Sequence, residues 1–474
     1  ARLYPGTKNL SYLLMPIRPL PPSKNIDHPA QPTSRNRPKM SEGFRITSFR
    51  PSLENVLLRP GPYSSESGAL PMGEHDPSSS TSSLLTSKIL VIGAGGLGCE
   101  LLKDLAMSGF RTIEVIDLDT IDVTNLNRQF LFRQKDVGKS KAEVAAAFIR
   151  ERCPWINITA HMGKIQDKPV EFYKGFNVII SGLDNVEARR WLNAMIVSLV
   201  AVDEDGDPDP ETIIPIIDGG TEGFRGQARV IIPRITSCFE CSLDAFPPQK
   251  TFPMCTIAET PRLPEHCISY AFMLEWPKVF PDKKLDKDSP EDMKWVYDRA
   301  LERANKYKIK GVTYMLTMGV VKNIIPAVAS TNAVVAAACV NECLKMVTFG
   351  SQTLNTYMMY MGNEGVYSHT FVYEQKPNCP VCTSAIRKMD LPPTTLLYEL
   401  IQKLVDGDLR LKKPSITSDA TTLYMQAPPA LEKMTSPNLD KPLSELFDSG
   451  DELTITDPVF PGSKSLSLVV TFTE

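Results

Sequence analysis

A chain of 474 residues has room for about three domains at roughly 150 residues each, which excludes a single small module. Apolar residues at 42% and charged residues at 23% match ordinary globular protein and exclude the disordered and fibrous classes. Basic and acidic residues nearly cancel, 52 against 55 for a net charge of −3, so no overall field recruits nucleic acid or an anionic membrane.

Residues 1–87 stand apart, with 13 of the 39 prolines and a serine cluster at Ser78, Ser79, Ser80, Ser82 and Ser83, and are expected to be a disordered leader. Their first 40 positions are cationic against a single Asp27, as in a transit peptide. Met40, followed by Ser-Glu-Gly, favours translated upstream sequence instead.

From Lys88 short β-branched runs alternate with amphipathic stretches: Ile89–Ile92, Glu100–Ser108, Ile113–Ile116, Lys139–Arg150 and Asn177–Ile180. This βαβ series implies a parallel sheet of Rossmann-like type. Pro215–Asp218 and Gln227–Ile232 read as further strands, separated from the series by a solvated acidic loop at Asp203–Asp209. Residues 245–310, rich in proline and charge, read as a mainly helical insertion. The run Ile324–Leu344 is broken by Ser330, Thr331, Asn332, Asn341 and Glu342, so it reads as a buried helix rather than a membrane span; it packs in the core or near an interface. The sheet pattern resumes at Tyr357–Tyr360 and His369–Tyr373, completing a divided domain of residues 88–244 and 311–390. Residues 391–474, with one helix at Thr394–Val405 and strands after it, form a small α+β unit.

Gly93-Ala-Gly95-Gly-Leu-Gly98 lies between a strand and a helix, and Asp117 ends the next strand 19 residues beyond Gly98. The glycines permit a tight turn, backbone approach to phosphate and close helix packing, the helix N-terminus attracts the anion, and Asp117 is placed for the ribose hydroxyls. Downstream, Asn125-Leu-Asn-Arg128 and Gly138-Lys-Ser-Lys141 add cations that suit a triphosphate and its pyrophosphate leaving group. Asp184 follows the strand Asn177–Ile180, at the carboxyl end of the sheet, where it can hold Mg²⁺ or cap the helix behind it.

These segments, with Asp-Leu-Asp-Thr-Ile-Asp-Val-Thr-Asn-Leu-Asn-Arg-Gln-Phe-Leu-Phe and Gly-Leu-Asp-Asn-Val-Glu-Ala-Arg-Arg, resemble the adenylation domain of ubiquitin-like-modifier-activating enzymes (a ThiF/MoeB-like fold) from Lys88 to the C-terminus. The resemblance implies ATP with Mg²⁺, acyl-adenylation of a modifier's C-terminus, and transfer of the acyl group to a cysteine. It assigns Asp117 to ribose, Asn125, Arg128 and Lys141 to phosphates, and Asp119 with Asp184 to Mg²⁺. It also makes residues 391–474 a ubiquitin-fold (β-grasp-like) domain that recruits the conjugating enzyme. With a single adenylation domain in the chain, a second adenylation-fold regulatory subunit is the expected heterodimer partner.

Ten cysteines compete for the nucleophile role. Cys99, Cys153, Cys339 and Cys343 lie in apolar helical contexts and read as small buried hydrophobes. Cys238, Cys241, Cys379 and Cys382 form two Cys-x-x-Cys pairs. That leaves Cys255 and Cys267, and local sequence alone prefers Cys255, where a helix start behind the thiol would raise its thiolate fraction. Phe-Pro-Met-Cys255-Thr-Ile-Ala, then Pro261-Arg-Leu-Pro-Glu-His-Cys-Ile, resembles the catalytic-cysteine segment of the branch that activates Nedd-type (Rub) modifiers, and on that match Cys255 carries the thioester while Arg262, His266 and Cys267 are structural. The same resemblance makes Arg229 a selectivity residue facing the modifier's tail, by like-charge rejection of a tail arginine.

The two Cys-x-x-Cys pairs are separated by 137 residues, far more than common zinc spacings, yet they flank the insertion and could close one tetrahedral zinc site. The resemblance implies a structural zinc on all four thiols. Abundant cysteine without a clear secretory pattern favours reduced thiols and a cytoplasmic or nuclear setting. The rival readings are an activating enzyme for another modifier or a sulfur-carrier protein, an NAD-dependent oxidoreductase on the same glycine motif, and a catalytically dead scaffold. The expected fold is α/β: a Rossmann-like adenylation domain, a helical catalytic-cysteine insertion and a C-terminal ubiquitin-fold domain.

Overall fold

The computed structural model describes residues 77–203, 206–245, 257–258, 260–283, 285–286, 289–321, 327–348, 355–383, 386–418, 421–461 and 464–473. Of the expected disordered leader, residues 1–76 lie outside the described residues, as does the Cys255 segment. The leader's last part is not disordered, since Pro77–Thr86 forms a helix whose Leu84 is fully buried in the core of the first unit, where apolar contact outweighs the serine-rich composition.

Strand β1 (Lys88–Ile92) is buried over its last four residues, as expected of a central parallel strand that reads as a continuous apolar run. It leads into helix α1 (Gly96–Met107), and β2 (Thr112–Asp117), helix α2 (Lys141–Arg152), β3 (Asn157–Met162) and β4 (Val178–Ser181) follow. Helix α3 (Val186–Ser198) then leads to β5 (Ile216–Glu222) and β6 (Arg225–Ile231). β1 pairs in parallel with β2 and β4, which makes the gap between β1 and β4 the point where chain order reverses. Ligands of open α/β sheets bind outside the carboxyl ends of the strands at such a point.

The other compact unit contains α4 (Pro264–Tyr270), α5 (Pro290–Lys306) and α6 (Tyr314–Val321), and spans Phe246–Ala327. It continues past residue 310, where the sequence reading ended the insertion, because Val312 and Val321 are buried with Val296, Ala300 and Cys267 in its own apolar core. Trp276 anchors that core, its ring 5.1 Å from Trp295 and 4.5 Å from Phe280.

The chain returns to the first unit with α7 (Ala329–Thr348), which packs on α1, β5 and β6. Of the two placements the sequence left open for this helix, the core is the one observed: Val335, Ala336, Cys339 and Cys343 are all fully buried. β7 (Tyr357–Met361) and β8 (Tyr367–Phe371) complete an eight-stranded sheet of order β3-β2-β1-β4-β5-β6-β7-β8, antiparallel from β5 onward. A second sheet of order β11-β10-β12-β13-β9 combines β9 (Arg387–Leu391), β10 (Ser415–Ser418), β11 (Thr422–Tyr424), β12 (Glu452–Thr456) and β13 (Leu466–Phe472) with helix α8 (Leu397–Asp406). The apolar face of α8, formed by Leu397, Leu400, Ile401 and Leu404, is buried. Among the described residues no helix is long and apolar enough to cross a membrane.

Candidate active site and metal centre

The turn after β1 is built by contacts that only glycine tolerates. Gly93 holds φ +96°, a left-handed conformation, and a Cβ on Gly98 would lie 2.0 Å from the Gly93 carbonyl oxygen. The turn therefore closes tightly and delivers the N-terminus of α1 without a side-chain cap, its N–H groups open to an anion.

Asp117 ends β2 beside this turn. One carboxylate oxygen accepts the Ala94 N–H at 2.6 Å and the other the Asp119 N–H at 2.7 Å. Burial pushes the Asp117 carboxyl up from its ordinary value, and these two bonds oppose the push. Asp117 thus ties the glycine turn to the end of β2.

The following loop folds back on itself, with the Ile121 N–H donating to Lys139 O and the Gly138 N–H to Ile121 O, both at 2.8 Å. That return places Lys141 beside Asp119. Lys141 Nζ lies 2.8 Å from Asp119 Oδ2, and its side chain is 9% exposed against 50% for Asp119. A buried ammonium paired to a half-exposed carboxylate is a cation that a phosphate or a metal-bound phosphate can take over. Ser140 caps the helix behind it by accepting the Glu143 N–H.

Asn125 Oδ1 accepts the Asp122 N–H at 3.0 Å, which occupies it in a short capping box. Arg128 donates to the Thr124 carbonyl, and its Cγ lies 3.5 Å from the place a Cβ on Gly96 would take, so its stem runs along the glycine turn. Asp184 follows β4 and is exposed. The helix cap that it might have supplied is made instead by Asn185, whose Oδ1 accepts the Ala188 N–H at 2.8 Å. Asp184 Oδ1 accepts a hydrogen bond from Asn185 Nδ2 at 3.1 Å, and an exposed carboxylate of this kind could also bind a hard cation. The glycine turn, Asp117, Asp119, Lys141 and Asp184 all sit on the carboxyl ends of β1, β2 and β4 or on the loops that leave them.

The four thiols of Cys238, Cys241, Cys379 and Cys382 are buried, and all their sulfurs lie within 4.8 Å of one another. Sulfur–sulfur distances are 3.8 Å for Cys238–Cys241, 3.6 Å for Cys238–Cys379 and 3.5 Å for Cys241–Cys382. Zinc–sulfur bonds of about 2.3 Å set tetrahedral edges of about 3.8 Å, so the cluster has the dimensions of a four-thiolate site with no position left for water. The Lys376 N–H donates to Cys241 Sγ at 3.5 Å.

The ThiF family profile matches residues 71–381 and the E2 binding domain profile residues 390–470. The NEDD8-activating enzyme E1 catalytic subunit of Dictyostelium discoideum is 52% identical over 428 residues, 89% of this chain and 96% of that protein. The protein of the same description from Arabidopsis thaliana is 53% identical over 369 residues, covering 78% of this chain and 81% of its own. That of Drosophila melanogaster is 47% identical over 428 residues, or 88% and 94%. The chain belongs to the family of NEDD8-activating enzyme E1 catalytic subunits.

In this family member nine of the ten cysteines are described, and all nine are buried. Burial raises the Cys267 thiol, pushes Cys99 up to about 12, and drives Cys339 and Cys343 higher still. None of the nine is an accessible nucleophile.

Arg229 does not face solvent in this member of the family. It is 4% exposed, with its guanidinium between the rings of Phe239 and Tyr357 at 4.8 and 5.1 Å and a hydrogen bond to Ser242 Oγ. Asp218 pairs with it at 3.5 Å and with Arg189 at 3.1 Å, so two cations share one carboxylate in the sheet. Arg189 in turn donates to the carbonyls of Leu183 and Gly219.

Two residues at the turn escape a reading of the sequence. Asn332 of α7 is buried, with Nδ2 2.5 Å from where a Cβ on Gly96 would stand and Oδ1 accepting the Thr221 hydroxyl at 2.6 Å. Gln129 places Nε2 3.8 Å from the Cβ position of Gly95. Asn332 interrupts an apolar run, which was its one visible signal.

Proposed function

We propose that this chain adenylates the C-terminal carboxylate of a NEDD8-type modifier with ATP, accepts the acyl group on Cys255, and hands it to a conjugating enzyme held by residues 391–474. The observation that carries this reading is the convergence of the glycine turn, Asp117, the Lys141–Asp119 pair, Arg128 and Asp184 around the switch point of the sheet. Such a set suits a nucleoside triphosphate better than a nicotinamide dinucleotide, which has no use for the paired lysine. The names of the relatives and the E2 binding profile favour modifier transfer over sulfur-carrier chemistry.

The modifier carboxylate attacks the α-phosphate and expels pyrophosphate, whose charge the N-terminus of α1, Arg128 and Lys141 receive. Asn125 is assigned to the phosphates and Asp117 to the ribose. Asp119 and Asp184 would hold Mg²⁺, which would neutralise charge on the phosphate oxygens, and Lys141 would donate to the phosphates. The Cys255 thiolate then attacks the acyl carbon and expels AMP. An acyl-adenylate is already activated, so position matters more than a strong base. Cys238, Cys241, Cys379 and Cys382 would hold a structural zinc, with no step passing through it.

Arg229 is assigned to modifier selectivity, where its positive charge disfavours a cationic tail. A second, adenylation-fold regulatory subunit completes the enzyme, in the cytoplasm or nucleus, where nine unbridged thiols stay reduced.

The test is a non-reducing gel of the chain with that subunit, Mg-ATP and either the NEDD8-type modifier or ubiquitin. A dithiothreitol-sensitive adduct with the NEDD8-type modifier alone is expected, and Cys255→Ala should remove it while pyrophosphate exchange persists. An adduct with ubiquitin would overturn the role of Arg229, and a thioester on the Cys255→Ala chain would move the nucleophile elsewhere.

A further inference from the structure

We propose that Arg190 is a positioning residue that locks the C-terminal domain onto the adenylation domain through a single buried guanidinium. The functional part of this inference rests on the reading of residues 391–474 as the platform for the conjugating enzyme; the lock itself does not.

Arg190 lies on α3 and is 3% exposed. On its own side of the joint its fork binds Glu240, Nε to Oε2 at 2.9 Å and Nη2 to Oε1 at 2.5 Å. Toward the C-terminal domain, Nη1 donates to the Arg410 carbonyl at 2.8 Å and Nη2 to the Leu409 carbonyl at 2.7 Å. The Phe460 ring of the same domain lies 5.2 Å from the guanidinium carbon. Arg410 holds φ +45°, a conformation disfavoured for a residue with a Cβ, and donates back to the Leu243 carbonyl at 3.3 Å. Lys412 pairs with Glu187 on the exposed rim.

Apolar packing tolerates sliding, whereas a planar fork with acceptors on both sides of the joint fixes angle as well as distance. A buried ion pair is a costly way to gain stability, so directional specificity is the property this arrangement supplies. Glu240 stands between Cys238 and Cys241, so the turn that brings those two thiols together also places the acceptor on which Arg190 is seated. Cysteine turn, Arg190 and C-terminal domain are coupled in series.

The test uses the full chain with its partner subunit and compares wild type with Arg190→Lys and Glu240→Gln. Lysine keeps a cation beside Glu240 but cannot bridge to two carbonyls, so the fold survives while the lock is lost. Expected for Arg190→Lys are hydrogen exchange over residues 240–245 and 407–413 faster by about fivefold or more, a larger radius of gyration by small-angle scattering, and unchanged pyrophosphate exchange. Single-turnover transfer from Cys255 to the conjugating enzyme should fall about tenfold, in line with the cost of a misplaced partner. Unaltered exchange and scattering in both variants would overturn the lock. A parallel fall in pyrophosphate exchange would overturn it too, by showing general damage. Release of the domain in a chain whose wild type forms no thioester would uphold the lock and overturn the proposed activity.

Discussion

At the scale of single residues, the most consequential arrangement is Lys141 held by Asp119 at 2.8 Å. The pair fixes the buried lysine to the loop that leaves β2, and in the proposed reaction that cation serves the phosphates. Lys141→Met keeps the stem and removes the charge. Pyrophosphate exchange is then expected to fall about 100-fold, the scale for losing one preorganised donor, with the melting temperature little changed because Asp119 is half exposed and can turn to water. Wild-type exchange rates in that variant would remove Lys141 from the phosphate set. The glycine turn, Asp117 and Lys141 were legible because their spacing is local and each residue type has a narrow use there. Asn332 and the Arg190–Glu240 pair were not, since they meet residues more than 40 positions away and only the folded chain puts them together.

Among elements, the neighbouring strands β1, β2 and β3 are joined by one carboxylate. Glu114 of β2 accepts from Lys88 of β1 and His161 of β3, both at 2.6 Å. Burial pushes the Glu114 carboxyl up, but hydrogen bonds from Lys88 and His161 outweigh it and hold the group below its ordinary 4.5. A depressed carboxylate contributes stability above its unfolded pKa and loses it as pH falls through the folded value. Glu114→Gln should therefore cost about 1 kcal/mol at pH 7, in keeping with partly exposed pairs, and the gap from wild type should close as pH falls below 4.5. Chemical denaturation at both pH values measures it, and a gap that stays constant would show that Glu114 acts by packing alone. The same strands show where the sequence falls silent. β1 and β2 are legible as β-branched runs, but β3, Asn-Ile-Thr-Ala-His-Met at the sheet edge, and β9, Arg-Lys-Met-Asp-Leu, carry little strand propensity of their own. Each is a strand because a neighbour pairs with it, β2 in one sheet and β13 in the other.

For the whole molecule, the four-thiol cluster joins the two stretches of chain that flank a separate unit of some eighty residues, Phe246–Ala327. Cys238 and Cys241 close the segment before that unit, and Cys379 and Cys382 close the segment after β8, so one metal would bind two stretches that the sequence separates by 137 residues. Zinc binding supplies folding free energy because no such site exists in the unfolded chain. Cys379→Ser should abolish stoichiometric zinc, measured by elemental analysis, and cost about 3 kcal/mol or more, which for a domain of this size is roughly 10 °C of melting temperature. A chelator should move wild type to the same melting point and leave Cys379→Ser unmoved. Pyrophosphate exchange at low temperature should survive, since the cluster takes no part in the chemistry. If wild type binds zinc but melts at the same temperature with and without chelator, the cluster is a passive metal site, and the sheet is held across the interruption by α7 and the β6–β7 pairing instead.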